Sequence, residues 1–216
     1  MPKILGANAS PFVRKTRVAL AEKGIAYELV PVMPIGVSAE FKQKSPLGKI
    51  PVFEEDDGYT LPDSSCIIAY LERTRPEPSL YPKSAKDYGR ALFLEEYGDT
   101  RLVESVAPVF FNRVVQAKIL KGKPDEARVR ECLEKLAPAV FDWLETQVPE
   151  AGDGIVGGRF SVADIALASP FVNFEHAGEK PDRRRWPRLA AYVERVHARP
   201  SFKACIEEEK AALSRL

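Results

Sequence analysis

Ser10 and Pro11 lie where a helical pattern begins, shortly after the apolar pair Ile4-Leu5. Serine is a favoured N-cap and proline a favoured first helical residue, so the pair predicts a helix start, and this local role explains both residues. Their position supports a second interpretation. Ligands of α/β sheets collect at the loops that follow strands, and a helix N-terminus carries partial positive charge. A hydroxyl group at this point could donate a hydrogen bond to an anion such as a thiolate.

The energy of one such bond is large enough to matter for thiol chemistry. A free thiol has a pKa of about 8.5 and is only a few per cent ionised at pH 7. Lowering this pKa by about 2 units requires roughly 2.7 kcal/mol of preference for the anion. A charge-assisted hydrogen bond contributes about 1.5 to 3 kcal/mol. Ser10 could therefore activate a thiol without a base beside it.

A second group of candidate residues lies between positions 45 and 71. Pro51 opens a short strand, which keeps Ile50 extended and leaves its peptide groups available to another partner. Asp63 and Ser64 stand at the start of an apolar helix, where they offer capping oxygens and free N–H groups. Each residue also has a local explanation: Lys49 as a solvated cation, Pro51 as a strand edge and Asp63 as an N-cap.

The first half of the chain has the elements needed to bring these residues together. Short apolar runs alternate with helical patterns in the order β-α-β-α-β-β-α, which predicts a small mixed sheet covered by helices. The strands are expected at Ile4-Leu5, 27–31, Val52-Phe53 and 59–61, and the helices at 11–23, 38–44 and 64–73. The proline-rich stretch from Arg75 to Pro82 is typical of a linker. We place the two domains at residues 1–77 and 86–216.

The second half shows helical periodicity, and we expect it to be all-helical. Apolar residues recur at helical spacing at positions 129, 133, 136, 140 and 144. Ser161-Val-Ala-Asp164 has the form of a capping box, with aspartate in place of the commoner glutamate or glutamine. The start of a helix explains this motif without any functional role.

Composition excludes several classes of function. The chain has 216 residues, a net charge of +1 and three widely separated cysteines. The balanced charge gives no electrostatic basis for binding nucleic acid or an acidic membrane. The cysteines are expected to be reduced thiols, and no apolar run reaches the roughly 18 residues of a membrane span. We therefore expect a cytoplasmic protein with no nucleic-acid or membrane partner.

Taken together, the motif of residues 49–64, Ser10 and the capping box resemble the cytosolic glutathione S-transferases, in a serine-type, bacterial-like form. The similarity extends to Arg199-Pro200-Ser201 near the end and so covers nearly the whole chain. It implies a thioredoxin-like N-terminal domain followed by an all-helical C-terminal domain. It also implies glutathione as co-substrate, a homodimer and no metal.

The resemblance also implies roles for individual residues. Ser10 would stabilise the glutathione thiolate as the catalytic residue, and Asp63 and Ser64 would hold the γ-glutamyl amine and carboxylate. Many members carry glutamate where this chain has the shorter Asp63. The other implied glutathione-binding residues are Phe12, Lys49 for the glycine carboxylate, Ile50 through its backbone, and Pro51 as a cis-proline. The second substrate would meet the thiolate between the domains, at a pocket lined by Tyr97, Arg101, Phe110 and Phe111.

The activity implied is conjugation of glutathione to small hydrophobic electrophiles, such as the alkyl or aryl compounds met in detoxification. Two alternatives stay open. The chain could be a non-catalytic interaction or regulatory protein that uses the same fold. It could also be a glutathione-dependent peroxidase or disulfide reductase, although members of that kind carry cysteine at the position of Ser10.

The remaining reactive side chains are expected to be structural. The two histidines, His176 and His197, lack the paired spacing of a metal site and are expected on helix surfaces. Cys66 stands near a helix start, but its apolar neighbours Ile67 and Ile68 favour a buried and inert thiol.

Overall fold

The computed structural model describes residues Met1–Leu216, which form two compact units, Met1–Tyr81 and Pro82–Leu216. Unit 1 contains four strands and three helices in the predicted order. The strands are β1 (Lys3–Leu5), β2 (Glu28–Val30), β3 (Val52–Glu54) and β4 (Thr60–Pro62), and the helices are α1 (Pro11–Glu22), α2 (Ala39–Lys44) and α3 (Ser64–Thr74). The thioredoxin-like arrangement predicted for this half is confirmed.

The sheet of unit 1 has the strand order β2-β1-β3-β4. Strand β1 pairs in parallel with β2 and antiparallel with β3, and β3 and β4 form an antiparallel hairpin. The apolar core lies against this sheet, with Ile4, Val52 and Phe53 fully buried. Because β1 and β3 are antiparallel, the end of β1 lies beside the start of β3, which places the two loops at these ends next to each other.

Unit 2 is all-helical, as predicted. Its helices are α4 (Ala85–Tyr97), α5 (Val103–Phe110), α6 (Glu126–Glu131), α7 (Ala137–Gln147), α8 (Val162–His176), α9 (Pro187–His197) and α10 (Pro200–Leu213). Three π-helical stretches continue them, at Gly98–Leu102, Phe111–Ile119 and Cys132–Leu136. Helix α8 is buried from Val162 to Phe174 and is the centre of the unit. No helix of the chain combines the length and the apolar composition needed to span a bilayer.

Close packing at the centre of unit 2 depends on Gly98. A Cβ atom at this position would lie 2.9 Å from both the carbonyl carbon and the oxygen of Ala166, in the backbone of α8. Real Cβ atoms do not approach a backbone this closely, so only glycine allows the chain after α4 to lie against α8. The π-helical stretch that begins at Gly98 therefore touches α8 backbone to backbone.

The capping box at the start of α8 is present and has a wider role than the sequence pattern predicts. Asp164 accepts a hydrogen bond from the Ser161 N–H at 2.8 Å. The same carboxylate accepts bonds from the Ile155 N–H at 2.8 Å and from the Tyr192 hydroxyl at 2.7 Å. Burial raises the pKa of Asp164, while these hydrogen bonds lower it. One buried carboxylate thus joins the 152–158 turn, α8 and α9.

The two histidines are not on helix surfaces, and that prediction is wrong. The His176 side chain is 4% exposed and lies 2.8 Å from the fully buried carboxylate of Glu209 in α10. His197 contacts Glu175 at 3.2 Å and the Ala168 carbonyl oxygen at 2.9 Å. The position of a histidine along its own helix could not predict this burial, because the residues that cover it come from other helices. No group of three His, Cys, Asp or Glu side chains has the arrangement of a metal site.

We expect Asp164→Ala to lower the free energy of unfolding by about 3 kcal/mol or more, because it leaves buried donors without an acceptor and each costs about 1–3 kcal/mol. Urea unfolding followed by circular dichroism measures this change. Tyr192→Phe is the matched variant, because it removes only one of these bonds and should cost about 1 kcal/mol. An Asp164→Ala effect no larger than that of Tyr192→Phe would contradict the joining role of this carboxylate.

Candidate functional site

Ser10 is the N-cap of α1, as predicted. Its hydroxyl oxygen accepts a hydrogen bond from the Val13 N–H at 3.4 Å, and its own N–H donates to the Ala7 carbonyl oxygen at 3.0 Å. A serine hydroxyl has one donor and two acceptor sites, so capping the helix does not use the O–H hydrogen. The structure therefore leaves this hydrogen able to donate while the oxygen caps the helix.

The loop that carries Ser10 is braced from α1. The Arg17 guanidinium, 4% exposed, donates to the Tyr27 hydroxyl at 2.7 Å and also bonds the side-chain oxygen of Asn8. Because the two acceptors lie on different segments of the chain, these bonds restrict both the loop and the Arg17 side chain. The residues between β1 and α1 are thus fixed before any ligand is present, which favours a preorganised site.

Gly6 brings the Ser10 loop against the loop before β3. A Cβ atom at Gly6 would lie 2.4 Å from Cγ2 of Val13 and 3.5 Å from Cβ of Ile50. A side chain here would clash with Val13 in the first turn of α1, whereas Ile50 would lie at an ordinary contact distance. The absence of a side chain therefore lets the first turn of α1 pack against the end of β1, with Ile50 on the neighbouring loop.

The Ile50–Pro51 peptide is cis, as the resemblance implied. The register of β3 against β1 begins at Val52, so the backbone of Ile50 lies outside the strand pairing. Lys49 is exposed, but its backbone is held by the side chain of Ser45. The Ser45 hydroxyl donates to the Lys49 carbonyl oxygen at 2.7 Å and accepts from the Lys49 N–H at 3.2 Å. The loop is thus held in place while the Lys49 ammonium group faces solvent.

Asp63 is the N-cap of α3 and has a strained backbone. Its Oδ1 atom accepts from the Ser65 N–H at 3.0 Å and from the Cys66 N–H at 3.1 Å. Both bonds end on one oxygen, so Oδ2 remains as an acceptor at the exposed side of the residue. Its φ of 78° lies in the region that favours glycine, and such strain costs about 1–3 kcal/mol and clusters at functional sites.

A backbone hydrogen bond joins α3 to the loop of Ile50 and Pro51. The Asp63 N–H donates to the Pro51 carbonyl oxygen at 3.3 Å. Ser64, the first residue of α3, is 2% exposed. Ser10, Ile50, Asp63 and Ser64 therefore lie on three connected segments of one edge of unit 1. Phe12 is half-buried in the first turn of α1.

Two residues beside this site were missed or misread from the sequence. Lys15 is fully buried and donates to the Ser65 hydroxyl oxygen at 2.8 Å. The run Arg14-Lys15-Thr16-Arg17 has the composition of a solvated helix face, so no local signal predicts its burial. Cys66 is exposed in the first turn of α3, so the expectation of a buried thiol is wrong. Its apolar neighbours Ile67 and Ile68 point into the core while Cys66 does not.

The residues expected to line a second-substrate pocket fall into two sets in unit 2. Tyr97 ends α4, and Arg101 follows in the π-helical stretch. Burial raises the pKa of Tyr97, and the nearby charge of Arg101 partly opposes this rise. Tyr97 also packs on Trp143, with ring centroids 4.3 Å apart. Phe110 is 8% exposed and lies 6.4 Å from the His176 ring, whereas Phe111 is 45% exposed. The role of all four residues stays a prediction.

Comparison with known proteins assigns the family. Residues 5–79 match the model of the glutathione S-transferase N-terminal domain, and residues 125–195 match the model of its C-terminal domain. A glutathione S-transferase from Rhodospirillum rubrum F11 is 28% identical with a TM-score of 0.86, covering 95% of this chain and 91% of that one. The maleylacetoacetate isomerase of Pseudomonas aeruginosa is 29% identical over 88% of each protein.

A third relative bears on the ligand. The glutathione S-transferase of Methylobacterium radiotolerans, whose structure was solved in complex with glutathione sulfonate, is 30% identical with a TM-score of 0.76, and the match covers 95% of this chain and 94% of that one. The chain therefore belongs to the glutathione S-transferase family.

Strain at Asp63 can be measured by comparing two substitutions. Asp63→Ala removes the cap and keeps a side chain in the strained conformation, so we expect it to lower the free energy of unfolding by about 1 kcal/mol. Asp63→Gly removes the cap and also the strain, and should therefore be more stable than Asp63→Ala by about 1 kcal/mol or more. Urea unfolding of both variants gives the difference. If the urea unfolding curves of the two variants have equal midpoints and slopes, the backbone at this residue is not strained.

Proposed function

We propose that this chain is a glutathione transferase in which Ser10 stabilises the thiolate of bound glutathione for attack on a small hydrophobic electrophile. The observation that carries the proposal is the geometry of Ser10: its oxygen caps α1 while its hydrogen remains a donor at the positive end of the helix. Transfer needs no base on the protein, because the thiol proton passes to solvent once the thiolate is stabilised.

The proposed binding mode of glutathione uses the edge that holds Ser10. The backbone of Ile50, next to Pro51, lies outside the sheet pairing and is offered to the cysteinyl part. Oδ2 of Asp63 accepts the γ-glutamyl amine, and the N–H groups at the start of α3, at Ser64, receive its carboxylate. Lys49, exposed and held at its backbone, pairs with the glycine carboxylate. The glutathione sulfonate bound by the Methylobacterium relative supports a ligand of this class.

The electrophile is proposed to contact unit 2 at Tyr97 and Arg101, with Phe111 as an exposed apolar surface. The Tyr97 phenol has an ordinary pKa of about 10, which burial raises, so it is neutral at physiological pH and can donate a hydrogen bond to a substrate. The proposed enzyme is a cytoplasmic homodimer. Exposed apolar side chains on α4, Leu92 and Phe93, support association with a second copy, because they are 39% and 49% exposed.

Ser10→Ala tests the catalytic role. We expect kcat/KM with a dinitroaryl halide to fall about 10- to 100-fold near pH 6.5, because a hydrogen bond of about 1.5–3 kcal/mol to the thiolate is lost. Removing a donor to the anion raises the pKa of the bound thiol, so the loss should be largest at low pH and should fade above about pH 9, where the thiol is ionised in both proteins. The pH–rate profile of each variant measures this.

Ser84→Ala is the matched control, because Ser84 caps α4 in the same way through the Asp87 N–H at 3.1 Å. It should lose comparable stability and keep the pH profile. An unchanged profile for Ser10→Ala would refute the proposed role. Turnover with peroxides or mixed disulfides but not with the aryl halide would favour the reductase alternative. Failure to be retained on immobilised glutathione would favour the interaction protein.

Asp63→Asn tests the amine contact separately from the fold. Asparagine keeps a capping oxygen and tolerates positive φ, so stability should change little. Loss of the negative charge should raise the Kd of glutathione about tenfold while leaving that of N-acetylglutathione, which has no amine charge, nearly the same. Isothermal titration with both peptides gives the comparison. An equal loss of affinity for the two peptides would show that the γ-glutamyl amine does not contact Asp63.

A further inference from the structure

Unit 1 contains an apolar cavity that the proposed function does not use. It lies between the end of β1, the loop that precedes α2, and α2 itself, and its volume is about 210 Å³. An apolar cavity of about 150 Å³ is already large enough to hold a molecule of benzene. The cavity therefore has room for an aliphatic side chain. Its apolar lining consists of Leu5, Val32, Val37 and Phe41.

The polar residues around the cavity are paired within the fold or exposed to solvent. The Ser38 hydroxyl oxygen accepts the Phe41 N–H at 3.1 Å, as the N-cap of α2. The Lys44 ammonium group pairs with the carboxylate of Glu54. Glu40 lies in the first turn of α2 and is exposed. A ligand group in this cavity would therefore gain affinity by burying apolar surface and would need no charge.

The loop between β2 and α2 is apolar although it lies at the surface. Residues 31–37 read Pro-Val-Met-Pro-Ile-Gly-Val and contain no charged side chain. Met33 and Ile35 are exposed, and so is Leu47 in the loop that leads to Lys49. Single exposed apolar residues are ordinary, but a group of them marks a binding groove or an interface. The surroundings of the cavity thus have the composition of a ligand-binding surface.

Gly48 places the cavity next to the loop of Lys49. A Cβ atom at Gly48 would lie 3.3 Å from Cγ2 of Val37, so the backbone just before Lys49 packs closely on the wall of the cavity. Another wall leads to the same place, because Leu5 directly precedes Gly6, which lies beside the loop before β3. The cavity therefore adjoins the part of the site that is proposed to hold the glycine carboxylate of glutathione.

We propose that this cavity is a subsite for an aliphatic side chain on the C-terminal residue of a γ-glutamylcysteinyl peptide. The inference rests on the proposed function and deepens it, because Lys49 is proposed to pair with the carboxylate of that same residue. Glutathione ends in glycine, which has no side chain to place there. A leucine at this position of the ligand covers the apolar surface of Val32 and Val37 and is itself removed from water. The site therefore prefers such a peptide to glutathione.

The test compares glutathione with γ-glutamylcysteinylleucine, which differs only in the side chain of its C-terminal residue. Burial of a leucine side chain corresponds to about tenfold or more in affinity, so we expect the wild-type chain to bind the leucine peptide about tenfold more tightly. Val32→Phe fills the cavity and should abolish this preference while leaving the binding of glutathione unchanged. Isothermal titration measures the dissociation constants of both peptides for each protein.

Two further variants separate filling of the cavity from other effects. Ile35→Phe makes a similar change in the same loop, at a side chain that does not line the cavity, and should keep the preference for the leucine peptide. Val32→Leu adds a single methylene to the lining and should weaken the preference. It decides the test if Val32→Phe does not fold or binds neither peptide.

The outcomes are distinct. A preference for the leucine peptide that is lost in Val32→Phe, or weakened in Val32→Leu, and is kept in Ile35→Phe supports the inference. Binding of glutathione with no preference for the leucine peptide would overturn the subsite and leave the proposed function in place. A preference that both Val32 variants keep would show that the leucine side chain binds elsewhere and would also overturn it. No binding of either peptide to the wild-type chain would overturn the proposed function and this inference with it.

Discussion

The candidate site depends on the close packing of the first turn of α1 against the end of β1, which Gly6 permits beside the loop of Ile50 and Pro51. A Cβ atom at Gly6 would lie 2.4 Å from Val13 and 3.5 Å from Ile50. The contact places the N-terminus of α1 beside a backbone segment that the sheet does not use. The Pro51 carbonyl oxygen then accepts the Asp63 N–H, which adds the start of α3. The lack of a side chain at Gly6 thus brings the N-terminus of α1 to the end of β1, and the hydrogen bond to Pro51 brings in the N-terminus of α3.

Two helix N-termini at one edge produce an electrostatic environment suited to an anionic ligand. Each contributes partial positive charge and N–H groups that the helix itself does not pair. Asp63 keeps this region from being uniformly positive. The proposed binding mode of glutathione matches this arrangement, with its thiolate at α1, a carboxylate at α3 and its amine near the acid. This match is more specific than that of the helix N-termini alone, because it includes the order of charges along the ligand.

The sequence predicted the parts of the structure that depend on neighbours along the chain. The order of strands and helices along the chain, the capping box and the caps at Ser10 and Asp63 follow from local spacing, and the family resemblance implied how these elements are arranged. The failures concern contacts across the fold. Cys66 is exposed and His176 is buried because of where their helices pack, and Lys15 is buried in a run of charges typical of a solvated face. Periodicity specifies which residues share a face, but not which charged face will be covered.

The local and the proposed functional explanations of Ser10 and Asp63 are compatible, because different atoms serve each one. Ser10 caps α1 with an oxygen lone pair and keeps its hydrogen for a thiolate. Asp63 caps α3 with Oδ1 and keeps Oδ2 for an amine. Capping also fixes each side chain in one orientation, so the second atom points in a defined direction before a ligand binds. The cap therefore orients the group for the proposed function, and at Ser10 the contacts of Arg17 with Tyr27 and Asn8 add to this by holding the loop in place.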